Sequence, residues 1–181
     1  MGKIISDALG GELDVVLVHK LGAPRNPELA IGSIDETGAV YLDEEMRDFW
    51  TEPYLVAEQA AQLQQLRQRR HLYGPPVDAN GRAVIVLDDG IATGSTMIAA
   101  LRAVRARQPE RLVAATAVAA PEALRAVGRE ADEVVCVEEP ARLYAIGRYF
   151  NDFSQVSDEE VTALLREARA KAAGPGNPHE S

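Results

Sequence analysis

Val84-Ile-Val-Leu-Asp-Asp-Gly-Ile-Ala-Thr-Gly-Ser-Thr96 (VIVLDDGIATGST) is the stretch on which the reading of the whole chain turns. Val84, Ile85, Val86 and Leu87 form an unbroken run of β-branched and aliphatic residues, the pattern of a parallel strand covered on both faces. Asp88 and Asp89 follow at its carboxyl end, where ligands sit in open α/β sheets. Gly90 to Thr96 then supplies small side chains and the hydroxyls of Thr93, Ser95 and Thr96. A helix is expected from Met97 to Val104, with Met97, Ile98, Leu101 and Val104 apolar.

Backbone N–H groups at a helix start, unobstructed by bulky side chains, bind a phosphate, and the helix dipole favours the negative charge. A phosphate repels carboxylates, so Asp88 and Asp89 are expected to face another part of the ligand. Adjacent carboxylates suit the two hydroxyls of a sugar, or a magnesium ion and its waters. Phosphate on one side and diol on the other describe a ribose 5-phosphate. A P-loop fits less well, because no lysine follows Gly94.

These residues resemble the signature of the type I phosphoribosyltransferases: an apolar strand, an acidic pair, then a loop of the form xxATGxT. The resemblance implies that Ala92, Thr93, Gly94, Ser95 and Thr96 hold the 5-phosphate of phosphoribosyl pyrophosphate. It implies that Asp88 and Asp89 contact the ribose hydroxyls and hold Mg2+, directly or through water. A strand–turn–helix in which DDG is only a turn is the plainer alternative.

The 181 residues fit one domain, with 46% hydrophobic and 26% charged content, as in a globular protein. No apolar run approaches membrane-spanning length, and the first residues lack a signal-peptide core, so a cytoplasmic protein is expected. A net charge of −9 argues against a nucleic-acid-binding surface. Cys136, the only cysteine, lies in the apolar run VVCV and reads as a buried, inert thiol. Three scattered histidines give no zinc-site spacing.

Taken in order, Met1 to Leu9 has the spacing of a helix face and is stopped by Gly10-Gly11. Leu13 to Val18, LDVVLV, reads as a buried strand that ends at His19-Lys20 and opens into a mobile loop rich in glycine and proline. Ile31 to Ile34 and Ala39 to Leu42 flank Asp35-Glu36-Thr37-Gly38 as a β-hairpin. In the family a basic pair after this strand reaches the pyrophosphate and the loop closes over the reaction centre. Lys20 matches that lysine, while His19 stands where arginine is more usual. A solvated lysine at a strand end is the plainer reading of Lys20. The segment GAPRNPE, Gly22 to Glu28, resembles an uncharacterised bacterial subgroup of the family, with which the likeness runs from roughly Gly2 to Leu165.

A long helix is expected from near Pro53, capped by Thr51, with Leu55, Val56, Ala60, Leu63 and Leu66 on one face. Arg67, Arg69, Arg70 and His71 cluster in its last turn, where cations pair with the helix dipole; a pyrophosphate or subunit contact is the sharper reading. Strands at Leu112 to Val118 and Glu133 to Val137 bracket a short helix from Pro121 to Val127. The alternation predicts an α/β fold: three layers, a mostly parallel sheet of the type I phosphoribosyltransferase kind, a flexible hairpin loop and a small C-terminal hood. Tyr144, Tyr149, Phe150 and Phe153 cluster after the last strand. In the family such a segment is a hood whose aromatic stacks on the base, which implicates Tyr149, Phe150 and Asp152; packing against the last helix is the plainer role for the rings. Ser157 and Glu160 form a capping box for a helix ending near Ala173, and residues 174–181 read as a disordered tail.

Two departures qualify the resemblance. The family carries a further strand ahead of this chain's first helix, ending in a pyrophosphate-binding loop of the type PRGG. The expectation is therefore a domain over 1–173 that is truncated at its N-terminus, unless the Leu13 and Val84 strands pair directly or the chain is a degenerate, inactive product. Ala92 also stands where purine-salvage members for hypoxanthine and guanine carry an aspartate, and alanine can neither give nor take a proton. The resemblance implies a phosphoribosyltransferase acting on phosphoribosyl pyrophosphate and a nitrogen heterocycle, with small-molecule substrates, no nucleic-acid or membrane partner, and homodimerisation open. A non-catalytic regulator binding the same ligand is the alternative, and an unrelated ATP-binding α/β domain a third.

Overall fold

The computed structural model describes residues 1–172; the expected end near Ala173 and the tail at 174–181 lie outside the described residues. Helix α1 (Gly2–Leu9) ends at Gly10, whose φ of 66° is left-handed and costs glycine nothing. Strands β1 (Val18–Ala23), β2 (Asn26–Asp35) and β3 (Val40–Leu42) form an antiparallel sheet. Helix α2 (Glu52–Tyr73) leads to β4 (Ala83–Ile91), α3 (Ser95–Arg105), β5 (Arg111–Ala119), α4 (Pro121–Val127) and β6 (Glu133–Glu138). β4, β5 and β6 pair in parallel, in that order. Helix α5 (Asp158–Ala172) closes the described chain. The α/β architecture is as the alternation predicts, and α4 has the expected bounds.

Each sheet has its own core. Val86, Leu112, Ala114 and Val118 of the parallel sheet are buried, the first three in one cluster with Leu101 and Val104 of α3 and Val127 of α4. Leu21, Ile31 and Ile34 of the antiparallel sheet pack with Leu55 and Leu66 of α2 and Leu165 of α5. Burying each such side chain stabilises by roughly 1.5–3 kcal/mol. Helix α3 touches both sheets and joins the halves. The capping box of α5 is complete: Ser157 N donates to Glu160 at 2.8 Å, and Glu160 N donates to Ser157 Oγ at 3.2 Å. No helix among the described residues is long and apolar enough to cross a membrane.

Several expectations are corrected. The ladder starts at Val18, paired with Asp35, and not at Leu13. Residues 12–17 run without a β partner among the described residues, and β4 pairs only with β5, so the two segments do not pair directly. A strand needs a neighbour for its backbone groups; here the Leu17 carbonyl accepts from Glu36 N at 3.1 Å, and Arg70 holds the segment before it. Arg70 donates from Nη2 to the Val15 carbonyl at 2.6 Å, from Nη1 to Asp14 at 2.9 Å and from Nε to Glu36 at 2.5 Å. Burial works against the Arg70 charge, but the bonds to Glu36 and Asp14 outweigh it and raise its pKa. Arg107 adds a second cation on Glu36 at 2.9 Å.

The expected mobile loop is instead drawn into the β1–β2 hairpin, with its turn at Pro24 and Arg25 and a register irregularity at Gly22. The β2–β3 hairpin is as expected; its turn is held by Asp35, which accepts from Thr37 N at 2.8 Å and Ala39 N at 3.1 Å. Val56 is 56% exposed and stands off the buried face of α2, and Thr51 makes no side-chain cap. Ile85 is 42% exposed while Ile91, on the same face, is buried, so β4 is not covered on both faces along its whole length. Cys136 is half-buried, its thiol donating to the Glu138 carbonyl, and burial pushes its pKa up.

Candidate active site

β4 does not stop at Leu87. Its ladder with β5 runs on through Asp88 opposite Thr116, Gly90 opposite Val118 and Ile91 opposite Ala119, so the acidic pair lies inside the strand. Backbone pairing is indifferent to the side chains, which is why the DDG sequence does not end it. The connecting loop is only Ala92 to Gly94. Gly94 has a φ of 87°, which glycine adopts without strain, and it turns the chain directly into α3.

That turn leaves the start of α3 open. Gly94 has no side chain with which to cap the helix, and Ala92, Thr93, Ser95 and Thr96 are exposed. The N–H groups of the first turn thus face outward, with the positive end of the helix dipole behind them. Thr93 Oγ1 and Ser95 Oγ stand 3.3 Å apart, two hydroxyls at the same opening. An anion with several oxygens fits such a loop.

Asp88 and Asp89 are half-buried beside it. The Asp88 carboxylate accepts from the Asp89 N–H at 2.9 Å. Burial pushes the Asp88 pKa up to about 6; that N–H bond opposes the rise, and the neighbouring Asp89 carboxyl adds to it. Two adjacent carboxyls are fewer than a divalent ion takes in an all-protein site, and no cluster of three acidic, histidine or cysteine ligands occurs among the described residues. They fit an ion such as Mg2+, which keeps several waters and takes its remaining oxygens from a phosphorylated ligand.

Over the ends of β4 and β5 lies a short 3-10 turn, Ile146–Tyr149, the start of the expected hood. Tyr149 is partly exposed, and the Phe150 and Phe153 rings are tilted against each other with centroids 5.2 Å apart. Asp152 is exposed and accepts from Ser154 N at 2.9 Å, a turn-capping bond; the Ser154 side chain first, and this N–H second, hold its carboxyl below the usual carboxylate range. Lys20 stands apart. It lies exposed on β1, in the other sheet, and shares no hydrogen bond or ion pair with the β4–α3 residues among the described ones. Burial and the nearby Arg69 push the His19 imidazole below its usual pKa.

The sequence reading missed two features. Arg70 was one of four basic residues at a helix end, and only the fold reveals that it alone reaches Asp14 and Glu36. Gly90 looked like a turn residue, yet it lies in β4 and is buried. A glycine so close to a strand run can mark the near approach of another segment, and that was the available signal.

Residues 1–144 match the profile of the phosphoribosyl transferase domain. Two proteins of Mycobacterium tuberculosis, from strains CDC 1551 / Oshkosh and ATCC 25618 / H37Rv, are provisionally named phosphoribosyl transferases. Each is 34% identical to this chain over 177 residues, which cover 95% of it and 40% of the relative. The chain thus spans about two fifths of the length of the curated relatives it matches. The crystal structure of TT1426 from Thermus thermophilus is 43% identical and superposes with a TM-score of 0.79, over 91% of this chain and 80% of that one.

Proposed function

Since the chain belongs to the phosphoribosyl transferase domain family, we propose that it transfers ribose 5-phosphate from phosphoribosyl pyrophosphate to a nucleobase or similar nitrogen heterocycle. The observation that carries this reading is the uncapped start of α3 directly beside the Asp88–Asp89 pair. The first is suited to a phosphate and the second to a diol, and they are separated by the short run Gly90 to Gly94.

In this reading the N–H groups and hydroxyls of Ala92 to Thr96 anchor the 5-phosphate. Asp88 and Asp89 hold the ribose hydroxyls and would hold Mg2+ when it is bound. The ion supplies positive charge for the pyrophosphate oxygens. The C1–O bond breaks with its electron pair leaving on pyrophosphate, the C1–N bond forms, and the heterocycle loses its N–H proton. Positive charge builds on the ribose ring between these events, so two carboxylates fixed beside it stabilise the transition state. Lys20 neutralises the leaving group from β1, and the β1–β2 hairpin shields the centre from water. Tyr149, Phe150 and Asp152 belong to the acceptor side. The acidic pair works ionised, so donor affinity rises with pH through about 6, the value to which burial pushes Asp88.

Calorimetry with phosphoribosyl pyrophosphate and Mg2+ tests the donor site, and pyrophosphate release across a panel of bases tests transfer. Asp89→Asn and Thr93→Val should each weaken donor binding by about tenfold or more, since each removes a charged or charge-assisted contact. Unchanged affinity in both would sink the assignment. Donor binding with no release for any base would leave a ligand-binding regulator in place of an enzyme.

A further inference from the structure

Gly90 is a glycine without a conformational reason to be one. It lies within β4 and is not among the positive-φ glycines, so any residue could adopt its backbone. What it lacks is room. A Cβ built there would stand 2.6 Å from Ile146 Cγ1 and 2.9 Å from Cδ1, with Cγ2 closer still. The contact therefore runs between the strand carrying the acidic pair and the first residue of the hood turn.

No rotamer of Ile146 relieves this overlap. Two of the three substituent positions on its Cβ face Gly90, and isoleucine carries carbon on two of the three in every staggered state. At least one carbon always meets position 90, so a larger residue must displace the hood backbone itself. Successive strand residues alternate faces, so the vacant Cβ position of Gly90 lies on the same face as the Asp88 side chain. Within the hood the same device recurs: a Cβ on Gly147 would stand 3.0 Å from Phe153 Cδ1, so that ring rests on the turn's own backbone. The segment is thus seated on β4 through Ile146 and folded over itself through Phe153, which leaves the Tyr144 and Tyr149 rings exposed at its margin.

We propose that Gly90 and Ile146 are a matched positioning pair that sets the height of the hood above the acidic pair, and hence the size of base the site accepts. The inference rests on the phosphoribosyl-transfer reading for its acceptor side, but the seat itself is tested without turnover. Amide hydrogen exchange reads the hood directly, since Phe150 N donates to the Gly147 carbonyl and Arg148 N to the Ala145 carbonyl across the turn.

Gly90→Ala should speed exchange at residues 146–150 by about tenfold or more while the middle of α3 keeps its protection. Adding Ile146→Ala to Gly90→Ala should restore most of the protection, because the overlap then disappears. Unchanged exchange in Gly90→Ala, or effects of the two substitutions that merely add, overturns the pair. Calorimetry with AMP and UMP reads the consequence: Ile146→Ala should shift the affinity ratio by about threefold or more toward AMP, the larger base, by opening space above Gly90. A ratio that stays put overturns the specificity role. If neither mononucleotide binds even the unaltered protein, the specificity role is overturned, while donor calorimetry still decides the transfer reading and exchange the seat.

Discussion

The two halves of this molecule are held in order by different means. In the parallel half every strand has a laddered neighbour, and β4, β5 and β6 keep one register over their whole paired length. In the antiparallel half the segment at residues 12–17 has no ladder among the described residues, and one guanidinium supplies most of its side-chain bonds. Arg70 ties Asp14, the Val15 carbonyl and Glu36 together, and Asp14 also accepts from Val77 N at 2.9 Å. A ladder spreads its hydrogen bonds over many residues, so each one counts for little. A clamp concentrates them, so its failure weakens several part-buried groups at once.

The largest expected effect breaks the clamp. Arg70→Ala leaves Asp14 with the Val77 N–H and Glu36 with Arg107, but takes from both part-buried carboxylates their shared cation, and should destabilise the fold by about 2–3 kcal/mol in urea unfolding. A loss below about 1 kcal/mol would mean that residues 12–17 are held by packing and their other bonds, not by Arg70. The parallel half offers the contrast in Asp88. Its carboxyl is protonated more readily in the folded chain than in the unfolded one, so its stabilising contribution is full at acid pH and is lost as pH rises through about 6. Asp88→Asn should therefore stabilise at pH 8 by about 1 kcal/mol, allowing for solvent screening, and change little at pH 4. Equal effects at both pH values would show that Asp88 is not held neutral by its surroundings. The smallest effect belongs to Arg102, whose partner Glu130 lies 2.6 Å away with both side chains partly exposed. Arg102→Ala should cost less than about 1 kcal/mol, and sharpens the comparison because the pairing is chemically the same as in the clamp.

The legible parts of the chain were those governed by local rules. The run from Val84 to Leu87, the bounds of α4, the glycine stop after α1 and both bonds of the Ser157–Glu160 box follow from periodicity, propensity and capping. The candidate phosphate loop was legible for the same reason: a glycine-bearing turn into a helix is a local event. What misled was also local. LDVVLV has the composition of a strand, but a strand exists only beside another, and none lies there among the described residues. DDG has the composition of a turn, but β5 continues alongside it and holds it extended.

By itself, then, the order of amino acids determined the α/β alternation, the acidic pair and the small-residue loop, because each depends on neighbours a few positions apart. Only the tertiary structure decided which of four basic residues became the clamp, that Lys20 stands in a different sheet, and that Gly90 is vacant for Ile146. Those depend on contacts between residues 34 to 56 positions apart in the chain for Arg70 with Glu36 and Asp14, and on a Gly90–Ile146 approach equally remote in sequence. No local pattern encodes a distance across the fold; packing does.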